Sequence, residues 1–199
     1  MSLIDLVDND HTDKNVIHSY LGLYETLLSN RKTSAKNVLE IGIGPPISFF
    51  GNITMKNGGS IKLWRDYFTN AIVYAIDIIP SQDVWDQIQN DPRIKLYTTT
   101  DGYNINFIND AFIKNNIMLD MALDDGPHTL DSMIQFIKLY TPILSNNGIL
   151  IIEDVQSMDW ITNLKEAVPD NLKKHISIYD LRHIKDRYDD IVFVIDKNK

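Results

Sequence analysis

Five short apolar runs, four of them closed by an acid or a glycine and each separated from the next by a segment of helical period, constrain this chain more than any other feature. The runs are "NVLEIG" (37–42), "IVYAID" (72–77), "IKLYT" (94–98), "IMLDMALD" (117–124) and "GILIIED" (148–154). Apolar residues dominate each and all are short, so they read as strands buried on both faces, the pattern of a parallel sheet. Ile17, Tyr20, Leu21, Tyr24, Leu27 and Leu28 keep one helical face, with Thr12 or Asp13 placed to cap its start. Ile61, Trp64 and Phe68 do the same over 58–68, and further helices are predicted near 81–89, 104–114, 158–168 and in the stretch from His128 to Leu144. Two last strands, 175–180 and 190–196, flank an aspartate-rich link and predict an antiparallel hairpin. Five strands alternating with helices, then a closing hairpin, make an α/β protein: a mostly parallel sheet with helices on both faces.

No repeat, low-complexity tract or Pro/Gly/Ser linker interrupts the alternation. At 199 residues a single domain, 1–199, is expected, with residues 1–35 as an N-terminal helical cap or lid. The chain has no cysteine, which excludes disulfides, thiolate metal sites and cysteine nucleophiles. A net charge of −8 argues against nucleic acid as a partner, because coating a duplex needs a basic face. No apolar run approaches a membrane span and residues 1–15 are acidic and polar, so a soluble, cytoplasmic protein is expected.

In sheets of this kind ligands bind beyond the carboxyl ends of the strands. The polar residues collect at those ends: Glu40 with Gly42 and Gly44, then Asp77, Asp101, Asp124 with Asp125, and Glu153 with Asp154. A dinucleotide fingerprint would continue past Gly44 to a third glycine and open a helix, yet Pro45 and Pro46 follow. No lysine follows the glycines as a P-loop requires. A nucleotide-dependent oxidoreductase is therefore disfavoured. An acid closing the second strand, Asp77, can accept both hydroxyls of a ribose, and Glu40 favours an ammonium or sulfonium over a pyrophosphate. S-adenosylmethionine combines those groups without a phosphate. The alternative is that Gly42 and Gly44 merely turn the chain from strand into loop.

"LDDGPH" (123–128) ends an apolar run with two adjacent carboxylates, costly to bury unless a cation lies near. His128 stands three residues past Asp125 and directly after Pro127, a residue favoured at the first position of a helix. That spacing predicts an imidazole in a first helical turn, where the dipole disfavours protonation and leaves a competent base. Plainer roles compete: Asp124 or Asp125 as a helix cap, His128 as a surface histidine, Glu153 as a salt-bridged strand end.

Taken together, "TDKN…HSYLGLYE" (12–25), "NVLEIGIG", "GGSIKLWRDYF" (58–68), "YAIDI" (74–78), "LDDGPH", "NNGILIIEDV" (146–155) and "DRYDDIVFVI" (186–195) span nearly the whole chain in order. In them the chain resembles the class I S-adenosylmethionine-dependent methyltransferases, in the branch of macrolide-sugar O-methyltransferases acting on macrocin and mycinamicin. The resemblance implies a Rossmann-like, seven-stranded sheet and a divalent ion, Mg²⁺ or Mn²⁺, beside the methyl donor. Carried over by position, it implies Glu40, Gly42, Ser60, Asp77 and Asp101 as cofactor contacts, joined by Gly44 and Asp124 from the strand-end reading. Asp125 and Asp154 are implied as metal ligands, with Glu153 a candidate third, and His128 as the general base. Two departures stand out: Pro127 replaces the usual serine, and "LYTTTDGYN" (96–104) lacks the usual glutamine-containing pattern.

The expected activity is metal-assisted O-methylation of a sugar hydroxyl on a glycan, nucleotide sugar or glycosylated metabolite. The rivals are a catechol-like small-molecule O-methyltransferase and a non-catalytic S-adenosylmethionine-binding relative. A homo-oligomer is expected by analogy alone.

Overall fold

The computed structural model describes residues 1–44 and 57–199. The chain divides into two compact units, Met1–Thr100 and Asp101–Lys199.

The first unit runs α1 (Leu3–Leu6), α2 (Leu21–Leu28), β1 (Asn37–Ile41), α3 (Gly59–Tyr67), β2 (Ile72–Ile76), α4 (Asp86–Gln89) and β3 (Ile94–Tyr97). β1 pairs parallel with β2 from Asn37–Ile72 to Ile41–Ile76, and β2 pairs parallel with β3. Val38, Leu39, Val73, Ala75 and Ile76 are fully buried, as a doubly covered sheet demands. Ile61, Trp64 and Phe68 form the buried face of the α3 segment, and Tyr24 of α2 meets the Trp64 ring edge-on at 5.7 Å.

Two helices are shorter than the periodicity predicts. α2 opens at Leu21 rather than after Asp13, because the His18 N–H reaches back five residues to the Asp13 carbonyl and the Tyr20 N–H six residues to that of Lys14, where an α-helix spans four, and Val16 and Ile17 are left exposed. The 81–89 segment splits into a 3₁₀ turn, Ser81–Asp83, and α4, because the Trp85 N–H is spent on the Asn57 carbonyl. The Pro45–Pro46 break lies outside the described residues; beyond it, α3 opens at Gly59 behind Gly58, whose φ is +113°.

The second unit runs α5 (Ile105–Ile108), β4 (Leu119–Asp124), α6 (Leu130–Tyr140), β5 (Leu144–Ile152), α7 (Ile161–Ala167), β6 (Ile176–Asp180), α8 (Arg182–Lys185) and β7 (Ile191–Asp196). β4 and β5 are parallel, whereas β7 lies antiparallel to both β5 and β6. The predicted 104–114 helix is α5 continued by a π-helical turn, Asn109–Ile113. Helical spacing extended to Leu144 in the sequence, but Pro142 lies in a 3₁₀ turn and Leu144 opens β5.

The seven strands form one sheet in the order β3-β2-β1-β4-β5-β7-β6, the predicted mostly parallel sheet with an antiparallel C-terminal pair. Among the described residues no helix is long and apolar enough to cross a membrane.

Candidate functional site

In the first unit the strand ends gather Glu40, Gly42, Gly44, Ser60 and Asp77. Glu40 is fully buried and accepts hydrogen bonds from the Ser60 hydroxyl (2.8 Å) and the Trp64 indole N–H, both on α3. The ammonium of Lys14, itself buried, lies 3.5 Å from the same carboxylate. A buried carboxylate needs such company, since desolvating it alone would cost several kcal/mol. Glu40 thus ties the N-terminal segment and α3 to the end of β1.

Gly42 and Gly44 have φ of +88° and +144°, values that favour glycine, and a Cβ on Gly44 would meet the Asn57 side-chain oxygen at 2.7 Å. Asp77, just past β2, accepts the Ile43 N–H at 2.6 Å and the Ile79 N–H at 3.0 Å. It clamps the glycine turn to the neighbouring strand end. Each of its oxygens keeps a second lone pair for an incoming hydroxyl.

In the second unit the ends of β4 and β5 lie side by side, Asp124 opposite Ile152. The His128 Nε2 stands 3.8 Å from an Asp125 oxygen and 3.7 Å from an Asp154 oxygen. One ligand atom from each of Asp125, His128 and Asp154 falls within 4.8 Å of the others. His128 and Asp154 both have left-handed backbones, with φ of +51° and +54°. Such conformations in non-glycine residues cost on the order of 1 kcal/mol or more and persist where surrounding structure imposes them. Asp125 and Asp154 supply the oxygen donors that suit a hard divalent cation of the Mg²⁺ or Mn²⁺ kind, and the imidazole of His128 stands beside them.

The predicted setting of His128 is corrected. It does not lie in the first turn of a helix. Thr129 is the N-cap of α6, its hydroxyl accepting the Ser132 N–H at 3.1 Å while the Thr129 N–H donates to the Ser132 hydroxyl. This reciprocal capping box outcompetes a helix start at Pro127, so the dipole argument for a neutral imidazole falls away.

Asp124 is buried, yet outside the three-residue set. Its Oδ1 accepts the Tyr103 hydroxyl at 2.5 Å and the Gly126 N–H at 3.3 Å, while its Oδ2 is buried with no hydrogen-bond partner. Burial pushes its carboxyl up to about 6, against the lowering pull of the Tyr103 hydrogen bond. The same burial, with the Asp124 charge beside it, drives the Tyr103 hydroxyl well above the usual phenol range. Glu153 is buried as well, and its backbone N–H donates to the Asp124 carbonyl; its side chain is not among the three that meet. Asp101 is exposed and accepts the Tyr103 N–H at 2.9 Å, an aspartate turn at the head of the loop.

Sequence reasoning singled out neither Lys14 nor Tyr103. Lys14 carried one signal, its place in "TDKN". Tyr103 carried another, as an aromatic in the stretch where the glutamine pattern is missing.

No protein-family model matches the chain. Among curated proteins it is 26% identical over 151 residues to the 8-demethyl-8-alpha-L-rhamnosyl tetracenomycin-C 2'-O-methyltransferase of Streptomyces olivaceus, covering 75% of this chain and 36% of that protein. It is 25% identical to the L-olivosyl-oleandolide 3-O-methyltransferase of Streptomyces antibioticus, over 72% of this chain and 34% of that protein. The chain thus spans about a third of the length of these relatives. Among solved structures, the MycE methyltransferase of the mycinamycin pathway in complex with Mg and SAH superposes with a TM-score of 0.74 at 19% identity, over 98% of this chain and 55% of that one. The O-methyltransferase TomG of Streptomyces achromogenes, in complex with SAM, gives 0.58 at 12% identity, over 87% of this chain and 78% of that one. The fold is the Rossmann-like fold of class I methyltransferases, and the sequence is similar to the sugar O-methyltransferase branch, as the resemblance implied.

Proposed function

We propose that this relative of the sugar O-methyltransferases is itself an S-adenosylmethionine-dependent O-methyltransferase, acting on a sugar hydroxyl with the help of a divalent ion. The meeting of Asp125, His128 and Asp154 within 4.8 Å carries the reading. It is supported by relatives that methylate sugars on tetracenomycin and oleandolide, and by a structural neighbour that holds Mg and SAH.

In this reading 1–199 works as one catalytic domain in the cytoplasm, with 1–35 as its cap. Asp77 accepts the ribose hydroxyls, while Gly42 and Gly44 let the backbone approach the cofactor. Ser60 and Glu40 shape its amino-acid end, Asp101 borders the adenosine, and Asp124 meets the cofactor's positive charge. Asp125 and Asp154 would hold the ion, with Glu153 as a candidate third ligand. A bound divalent ion would supply Lewis acidity to the acceptor hydroxyl and fix its orientation. His128 takes the hydroxyl proton as the oxygen attacks the methyl carbon and the carbon–sulfur bond breaks, leaving a methyl ether and S-adenosylhomocysteine. Holding both reactants in line supplies much of the rate, since orientation removes several kcal/mol of barrier.

Thermal melting tests the cofactor half. S-adenosylhomocysteine at about 100 times its Kd should stabilise the folded chain by about 2.7 kcal/mol, and NAD should leave the melting temperature unchanged. No shift with S-adenosylhomocysteine would remove the cofactor. Methyl transfer to a catechol and to no sugar or glycoside would move the acceptor to the catechol class.

A further inference from the structure

We infer that Tyr103 is a positioning residue that aims the free oxygen of Asp124 at a cationic donor of the ligand, the ammonium of the cofactor's amino-acid portion. The inference rests on the cofactor reading above and adds a residue to it.

Asp124 is 3% exposed and its two oxygens are treated differently. Oδ1 is fully engaged, by the Tyr103 hydroxyl at 2.5 Å and the Gly126 N–H at 3.3 Å. Oδ2 is equally buried and has no partner. A buried carboxylate oxygen left without a donor is costly, and persists where a ligand supplies the missing bond. An ionised carboxylate only accepts, and its strongest complement is a charged donor.

The fixing of Oδ1 is built into the fold. A Cβ on Gly126 would strike the Tyr103 hydroxyl oxygen at 2.2 Å, so this glycine is what admits the phenol to the carboxylate. The loop bearing Tyr103 is pinned on two sides: the Tyr103 N–H donates to Asp101, and the Tyr140 hydroxyl donates to the Gly102 carbonyl at 2.8 Å. Asn104 then caps α5 with its side chain, accepting from Asn106 and Phe107. With Oδ1 so held, the carboxylate cannot rotate, and Oδ2 is presented in one direction. Asp124 lies outside the Asp125–His128–Asp154 set, so its open oxygen is not accounted for by that set.

The test compares two ligands that share the thioadenosine and differ in the amino-acid portion: S-adenosylhomocysteine, and 5′-methylthioadenosine, which has no ammonium. Both are titrated calorimetrically into the full chain and into Tyr103→Phe, with melting temperatures recorded alongside. The expected result is S-adenosylhomocysteine binding weakened about tenfold, the size of one hydrogen bond to a charged group, with methylthioadenosine affinity unchanged within about twofold. An equal loss for both ligands would make Tyr103 a structural residue and overturn the inference, as would an unchanged affinity for S-adenosylhomocysteine. If the unaltered chain fails to bind S-adenosylhomocysteine, the cofactor reading falls and takes the inference with it. If the unaltered chain binds and Tyr103→Phe binds equally well, only the inference falls. Should Tyr103→Phe fail to fold, Gly126→Ala, which pushes the phenol off Asp124, takes its place with the same expectations.

Discussion

His128 carries the chemistry that the proposed reaction needs most. Its imidazole stands 3.8 Å from Asp125 and 3.7 Å from Asp154, close enough to share a substrate hydroxyl with whatever those acids hold. His128→Ala should lower kcat by about 100- to 10,000-fold, the usual loss on removing a general base, while calorimetric binding of S-adenosylhomocysteine stays within about twofold. A kcat that survives the substitution would leave proton transfer to another group. At this scale the sequence was legible in part. The spacing of Asp125 and His128 pointed to a shared site, and Asp154, far along the chain, meets them as expected for the end of the next strand. The backbone of His128 was not legible, since Pro127 as a first helical residue and Thr129 as an N-cap signal helix starts three residues apart. Only the Ser132 hydroxyl, three residues past Thr129, decides between them. Lys14 was hidden for another reason: nothing local in a sequence joins it to a carboxylate 26 residues away.

Among the elements, the strands were the most legible because their apolar runs are short, continuous and sharply ended. Helices were less so, since backbone groups compete for the same N–H and C=O partners. Trp85 gives its N–H to Asn57, and a helix predicted whole becomes two short pieces. The start of α6 fixes the turn that presents His128. Thr129→Ala, which removes half of its capping box, should cost about 1 kcal/mol, a fall of about 2–4 °C in melting temperature for a chain of this size. An unchanged melting temperature would mean the cap contributes nothing. At the end of β6, Asp180 accepts the Arg182 side chain at 2.8 and 2.7 Å, which holds its carboxyl down to about 2. Its folded value lies below the ordinary carboxylate value of about 3.9. Its contribution to stability is therefore present above that pH and lost as pH falls toward 2. The pair is well exposed, so the contribution is small. In Arg182→Ala the Asp180 carboxyl, followed by NMR titration, should move up toward the ordinary range; an unmoved midpoint would deny the guanidinium its role.

For the whole chain, the alternation of strand and helix was enough to give the sheet its class and its antiparallel finish, because hydrophobic period and turn chemistry agree along most of its length. Its charge of −8 includes the acids that stand at the strand ends. The acceptor is a different matter. A sugar and a catechol both offer adjacent hydroxyls to an ion, so the distinction between them lies in pocket shape rather than in the residues that do the chemistry. The decisive measurement follows labelled methyl transfer from S-adenosylmethionine to a panel of nucleotide sugars and glycosides. It is run with Mg²⁺, with EDTA, and with Mg²⁺ restored after chelation. The expected result is a methylated sugar formed with Mg²⁺, lost with EDTA and recovered on restoration. Transfer that continues undiminished in EDTA, in the unaltered chain and in His128→Ala alike, would contradict the metal and the base together.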